Sequence, residues 1–201
     1  NKNWVLKSSG DENVISSLSR ELGIERPLAQ LLVQRGISTF KEAKDFFRPK
    51  LQDIPDPFLL LNMEKAVNEL QNCIDENKNI LVYGDYDVDG TSSVTILYKF
   101  LSDLTENVAY YIPNRYTEGY GVSEKGIQFA IDNNVSLILT LDCGIKAHQK
   151  IQLAKDAGIE VIVCDHHLPD TTLPNAIVLN PKQNNCKYPF KDLAGVGVTY
   201  K

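Results

Sequence analysis

Nothing in these 201 residues approaches the run of about 20 apolar side chains that a membrane-spanning helix needs. The opening residues, NKNWVLKSSGDEN, lack the apolar core of a secretory leader. Cysteine is scarce: Cys73, Cys143, Cys164 and Cys186 lie far apart, with no Cys-x-x-Cys pair. That spacing argues against a disulfide framework or a cysteine zinc site, and for reduced thiols in a cytoplasmic protein. Basic residues are not in excess either. Twenty-one Lys and Arg against 26 Asp and Glu give a net charge of −5. No global field draws the chain to nucleic acid, although the local field at a cleft counts for more than the total. Internal repeats and low-complexity tracts are absent as well. What remains is a chain with 43% apolar residues, enough for a proper core, and a length suited to one large domain or one with a smaller partner.

The first 60 residues read as helical and irregular. Asp11 suits the cap of a helix to Leu22, with Val14, Ile15, Leu18 and Leu22 on one face. Pro27 suits the first turn of a second helix and Gly36 its end; a third runs from Lys41 to Phe47. Pro55 and Pro57 mark a connector, after which Asn62 is placed to cap a helix from Met63 to Asp75, with Ala66, Val67, Leu70 and Ile74 inward. Then the rhythm changes. Short apolar runs at Ile80–Tyr83, Val108–Ile112, Leu137–Leu141, Val161–Cys164 and Ala176–Leu179 read as strands. Thr91–Leu104, Ser123–Asn133 and Lys146–Ala157 read as the helices between them. This alternation predicts an α/β fold, a parallel β-sheet flanked by helices, behind a small helical N-terminal region. The expected division is 1–60 and 61–201. The closing LAGVGVTYK enters a helix near Val198 that stops within about one turn, so a fragment of a longer protein is expected.

The chemistry gathers where strands end. In open parallel sheets ligands sit beyond the carboxyl ends of the strands. After the first strand comes Gly84-Asp85-Tyr86-Asp87-Val88-Asp89-Gly90. After the third comes Asp142-Cys143-Gly144, and after the fourth Asp165-His166-His167. Like charges this close repel unless solvent or a cation offsets them. Hard oxygen ligands with imidazole suit Mn²⁺ or Mg²⁺. Singly, each has an ordinary reading: Asp142 as a helix cap, His166 and His167 as surface residues before Pro169. Together on one sheet edge they predict a metal site. An EF-hand loop fails, because the twelfth residue from Asp85 is Ile96 rather than a glutamate and a strand precedes it. Asp87-Val88-Asp89-Gly90-Thr91 also matches the nucleophile motif of haloacid-dehalogenase-like phosphatases, a reading that leaves Asp165-His166-His167 without a role.

GDYDVDGTSS, LDCGI and CDHH, in this order and on these strands, resemble the DHH phosphoesterase superfamily. Within it the chain is similar to the single-strand-specific 5′→3′ DNA exonucleases. LAQLLVQRGI and LNMEKAVNEL before the first motif, PNRYTEGYG at Pro113–Gly121 and the closing AGVGVTYK carry that narrower resemblance. It implies two-metal phosphodiester hydrolysis releasing 5′-mononucleotides, in recombination and repair, with single-stranded DNA, a helicase and a single-strand-binding protein as partners. It implies that Asp87 and Asp89 bind one metal each, that Asp142 bridges them and that His166 ligates the second. His167 would lie beside the scissile phosphate, Asp165 would orient the pair, and Asp85 would be an extra ligand or an outer acceptor. Related pyrophosphatases carry a His where Tyr83 stands, so the first metal would need another ligand. A further metal-binding Asp lies beyond the AGVGV motif in the family, so the chain alone is expected to be inactive or weakly active.

Other residues have two readings each. Arg115 offers a fork for two phosphate oxygens, or is a surface arginine. Tyr116 and Tyr120 could stack on bases, while Glu118-Gly119-Tyr120-Gly121 reads equally well as a flexible turn. Gly195 and Gly197 could let a phosphate approach the backbone, or form an ordinary turn. A phosphodiesterase for short oligonucleotides or cyclic dinucleotides is the alternative within the superfamily.

Overall fold

A computed structural model describes residues 3–201. The chain divides into two compact units, Asn1–Ile54 and Pro55–Lys201. The first holds α1 (Glu12–Leu22), α2 (Arg26–Val33) and α3 (Phe40–Phe47). Asp11 caps α1 by accepting the amides of Asn13 and Val14. Thr39 and Glu42 form a reciprocal capping box on α3. Ile15, Leu18, Ala29, Leu32 and Ala43 make the core of this unit.

The second unit is built on α4 (Met63–Asp75), β1 (Asn79–Gly84), α5 (Val88–Ser102), β2 (Val108–Tyr111), α6 (Glu124–Asp132), β3 (Val135–Leu141), α7 (His148–Asp156), β4 (Glu160–Cys164), β5 (Ile177–Leu179) and α8 (Gly195–Tyr200). All five strands are parallel, in the order β2-β1-β3-β4-β5. The predicted α/β sheet is therefore the observed one. Its strands read as unbroken apolar runs because both faces are covered. Ile80, Val82, Leu137 and Leu139 pack in one layer with Met63, Ala66 and Leu101. Leu81, Tyr83, Ile138 and Val163 face the other way, toward Ile127 and Ile151. The four cysteines are free and buried, as small apolar residues are. Among the described residues no helix is long and apolar enough to cross a membrane.

Two helix starts and one cap differ from expectation. Helix α5 starts at Val88 rather than Thr91, because Asp87 caps it through the Gly90 amide at 3.0 Å. Helix α8 starts at Gly195 rather than near Val198. Asn62 does not cap α4: its backbone is left-handed (φ 70°), and its side-chain amide instead donates to the Val178 carbonyl at 3.0 Å. On α4 itself Cys73 takes the inward place expected of Val67, which is exposed.

The strand order matters for function. From β1 the chain crosses to β2 on one side, then to β3 on the other. A crevice opens at such a reversal, outside the carboxyl ends of the two central strands. The Asp85–Gly90 turn follows β1, and Asp142 follows β3.

Candidate metal centre

Asp142 sits at the bottom of this crevice, 1% exposed. Its backbone is left-handed (φ 58°), a conformation that costs a non-glycine residue about 1–3 kcal/mol and that clusters at functional sites. The Asp142 amide continues the β3–β4 ladder by donating to the Cys164 carbonyl at 2.9 Å. Its Oδ1 is buried without a hydrogen-bond partner. The nearest cationic group, His166 Nε2, lies 3.2 Å away without the alignment of a hydrogen bond. Burial, then the charges of Asp89 and Asp87, push the Asp142 carboxyl up to about 7.

His166 and His167 face Asp142 from the end of β4. One ligand atom from each of Asp142, His166 and His167 falls within 4.8 Å of the others. Asp165, also 1% exposed, organises the pair. Its Oδ1 accepts the amides of His166 (2.7 Å) and His167 (3.0 Å) and meets His167 Nδ1 at 2.7 Å. Its Oδ2 accepts the Ile145 amide at 2.9 Å. With both oxygens engaged, Asp165 fixes the ring of His167 and turns Nε2 outward, as a carboxylate behind a working histidine does. The Tyr120 hydroxyl reaches that Nε2 at 3.3 Å.

Asp89 projects from the first turn of α5. It accepts the Gly195 amide at 2.7 Å and the Val196 amide at 2.6 Å, and lies 3.7 Å from His166 Nε2. The backbone of Gly195 thus anchors Asp89. It also passes so close to Asp142 that a Cβ there would lie 2.4 Å from Oδ1. Gly90 is demanded in the same way: a Cβ would lie 2.4 Å from the Asp85 carbonyl. Asp87 is exposed at the cap of α5. Its Oδ1 is engaged by the Gly90 amide, and it stands outside the Asp142–His166–His167 cluster.

Asp85 is fully buried. Oδ1 accepts the Gly121 amide at 3.3 Å, while Oδ2 has no partner, and burial raises its pKa. It stands outside the Asp142–His166–His167 cluster. Tyr83 does not face the crevice as a ligand would. Its hydroxyl donates to the Gly121 carbonyl at 2.9 Å, in the opposite layer of the sheet. The Arg115 guanidinium lies over the Tyr86 ring, 5.4 Å from its centre, and Tyr86 meets Tyr120 edge-on at 6.2 Å. Tyr116 is 93% exposed and Gly197 packs on Leu193, so neither is brought to the cluster.

Two features had no sequence reading. Asn180, fully buried after β5, donates to the His167 carbonyl at 2.9 Å. A cleft of about 850 Å³ runs from Tyr120 and His167 past Lys146, His148 and Lys150 to Lys182. Lys146 and His148 pair with Asp170, and Lys150 with Glu124. Among the described residues Lys182 has no acidic partner within 4 Å.

A buried carboxylate oxygen without a hydrogen-bond partner and two imidazoles, with the Asp89 carboxylate 3.7 Å from His166, fit a divalent cation that accepts oxygen and nitrogen ligands. Residues 79–201 match the DHH family, N-terminal domain. The single-stranded-DNA-specific exonuclease RecJ of Bacillus subtilis is 40% identical over 192 residues, which is 95% of this chain and 24% of that protein. A crystal structure of exonuclease RecJ bound to manganese superposes with a TM-score of 0.62 at 35% identity, over 70% of this chain and 36% of that one. That of RecJ in complex with Mn²⁺ from Thermus thermophilus gives 0.69 at 28% identity, over 96% of this chain and 27% of that one. The chain thus spans about a quarter to a third of the length of these relatives.

Proposed function

The chain belongs to the DHH family, and on that premise we propose that it is the N-terminal, metal-binding part of a single-stranded-DNA-specific 5′→3′ exonuclease. The observation that carries this is the partnerless buried oxygen of Asp142 facing His166 and His167, in a chain 40% identical to a RecJ exonuclease. Residues 61–201 form the phosphoesterase domain in this reading, and 1–60 a helical region before it.

Mn²⁺ or Mg²⁺, when bound, would supply the Lewis acidity of a two-metal hydrolysis. The chain's residues do the rest. Asp87 and Asp89 would each hold one cation, Asp142 would serve both, and His166 would serve the second. The amides of Gly195 and Val196 aim Asp89. Asp165 keeps the His167 Nδ1 side engaged, so that Nε2 is the atom presented to the scissile phosphate. Asp85 serves from behind, through the Gly121 amide. Tyr120 and Arg115 form the wall on which the terminal nucleotide rests, and Lys182 meets a backbone phosphate in the cleft. The products are 5′-mononucleotides. Single-stranded DNA is the substrate; a helicase and a single-strand-binding protein as partners in recombination and repair, and a cytoplasmic setting, follow from the family reading alone.

The test is hydrolysis of 5′-labelled single-stranded DNA by the full-length protein with Mn²⁺. Release of labelled mononucleotide, abolished by chelation, is expected. Turnover of dinucleotides or cyclic dinucleotides without attack on long strands would replace this reading with the short-substrate alternative.

A further inference from the structure

The loop Pro113–Gly121 brings Tyr120 to His167 and lays Arg115 over the Tyr86 ring, yet it belongs to no helix or strand. Asn114 Oδ1 turns its start by accepting the Tyr116 and Thr117 amides, and one carboxylate ties it to both flanking elements. Glu118 Oε2 accepts the Tyr111 hydroxyl at 2.7 Å and the Ser123 hydroxyl at 2.6 Å, and Oε1 accepts the Asn114 amide at 3.0 Å. Its three donors come from the end of β2, from the loop itself and from the cap of α6. Bonds from neutral donors to a charged carboxylate are the stronger kind. Burial pushes the Glu118 carboxyl up, but the bonds from Ser123, Asn114 and Tyr111 outweigh it and leave the carboxyl below its ordinary range.

The brace connects to β1. The Tyr83 hydroxyl accepts the Ser123 amide at 3.0 Å and donates to the Gly121 carbonyl, and the Tyr83 ring stacks on Tyr111 at 5.4 Å. From Gly121 the loop reaches Asp85 through its amide, and from Tyr120 it reaches His167. The strand that carries the aspartates and the loop that walls the cleft are thereby locked in one register.

We propose that Glu118 is a positioning residue: it braces the 113–121 loop so that Tyr120 and Arg115 stand ready for substrate beside His167. The proposal deepens the exonuclease reading and rests on it for the identity of that substrate. Preorganisation of this kind acts on substrate affinity, because a loop that must be ordered on binding taxes the complex.

The experiment compares full-length wild type with Glu118→Ala and Glu118→Gln. Amide hydrogen exchange reads the loop without reference to activity, titration with Mn²⁺ reads the metal centre, and steady-state hydrolysis of 5′-labelled single-stranded DNA reads the wall. In Glu118→Ala the Asn114 and Gly121 amides should exchange roughly tenfold faster or more, as expected for loss of a charged acceptor. The KM should rise about tenfold with kcat and Mn²⁺ affinity changed less than about twofold. Glu118→Gln keeps the shape and one acceptor and should recover most of both. Unchanged exchange in Glu118→Ala overturns the brace. Faster exchange with an unchanged KM, or a loss confined to kcat and Mn²⁺ affinity, overturns its positioning role. A wild type inactive on DNA would sink the functional reading instead, while the exchange measurement still decides the brace.

Discussion

Two neighbouring loops leave the same edge of the sheet, and they are held by opposite means. The turn after β1 is short and its carboxylates are acceptors for backbone amides: Gly90 for Asp87, Gly195 and Val196 for Asp89. The loop after β2 is long, and its amide and hydroxyl donors converge on a side-chain carboxylate, Glu118. In the first the backbone aims the acids; in the second an acid aims the backbone. In the proposed reading the first holds charge for a cation with little freedom to shift, and the second admits and releases a strand of substrate.

The contrast is broken most severely at its centre. Asp142→Ala should lower hydrolysis on the order of a thousandfold or more, since several kcal/mol of charge stabilisation go with the ligand. In the metal-free protein Asp142→Asn should leave the melting temperature unchanged or raise it by a few degrees, because a buried, partnerless charge is removed. Thermal melts with and without Mn²⁺ check this: Mn²⁺ should stabilise wild type and leave the variant nearly untouched.

Next is Gly195→Ala. Its Cβ would collide with Asp142 Oδ1 and displace the amide that aims Asp89. A loss of roughly 10–100-fold in Mn²⁺ affinity is expected, as for other residues that support ligands. Calorimetric titration measures it.

Strands and site motifs were legible in the sequence because their signals are local. A parallel strand buried on both faces is a continuous apolar run, and Asp142 or Asp165 follows directly. Helix starts were less legible where the cap is also a candidate ligand: Asp87 reads as a metal ligand, and its capping of α5 is visible only in three dimensions. Asn62 looked like a cap by its type, but its tertiary bond to Val178 prevailed. Glu118 was unreadable for a different reason. Its donors lie at positions 111, 114 and 123, and only the fold folds that span back onto one carboxylate. Lys182 is exceptional only because the other cations of its cleft are paired.

Smaller effects sharpen the comparison. Lys182→Ala should raise KM for single-stranded DNA a few-fold and reduce the salt dependence of binding by about one ion, leaving kcat nearly unchanged. Binding isotherms at several ionic strengths test it. The smallest effect is on acid stability. The Glu118 pKa is depressed in the folded state, so its contribution is present above the unfolded-state value and is lost as pH falls through the folded one. Glu118→Gln should flatten the acid limb of a stability–pH curve below the ordinary glutamate range, with little change at neutral pH.

The most direct test of the central claim is calorimetric titration of Mn²⁺ into the full-length protein and into its Asp142→Asn and His166→Ala variants. The account predicts saturable binding to wild type that is lost in Asp142→Asn and weakened in His166→Ala, with all three folded. Undiminished Mn²⁺ affinity in both variants would contradict it, and the crevice between β1 and β3 would not be the metal centre.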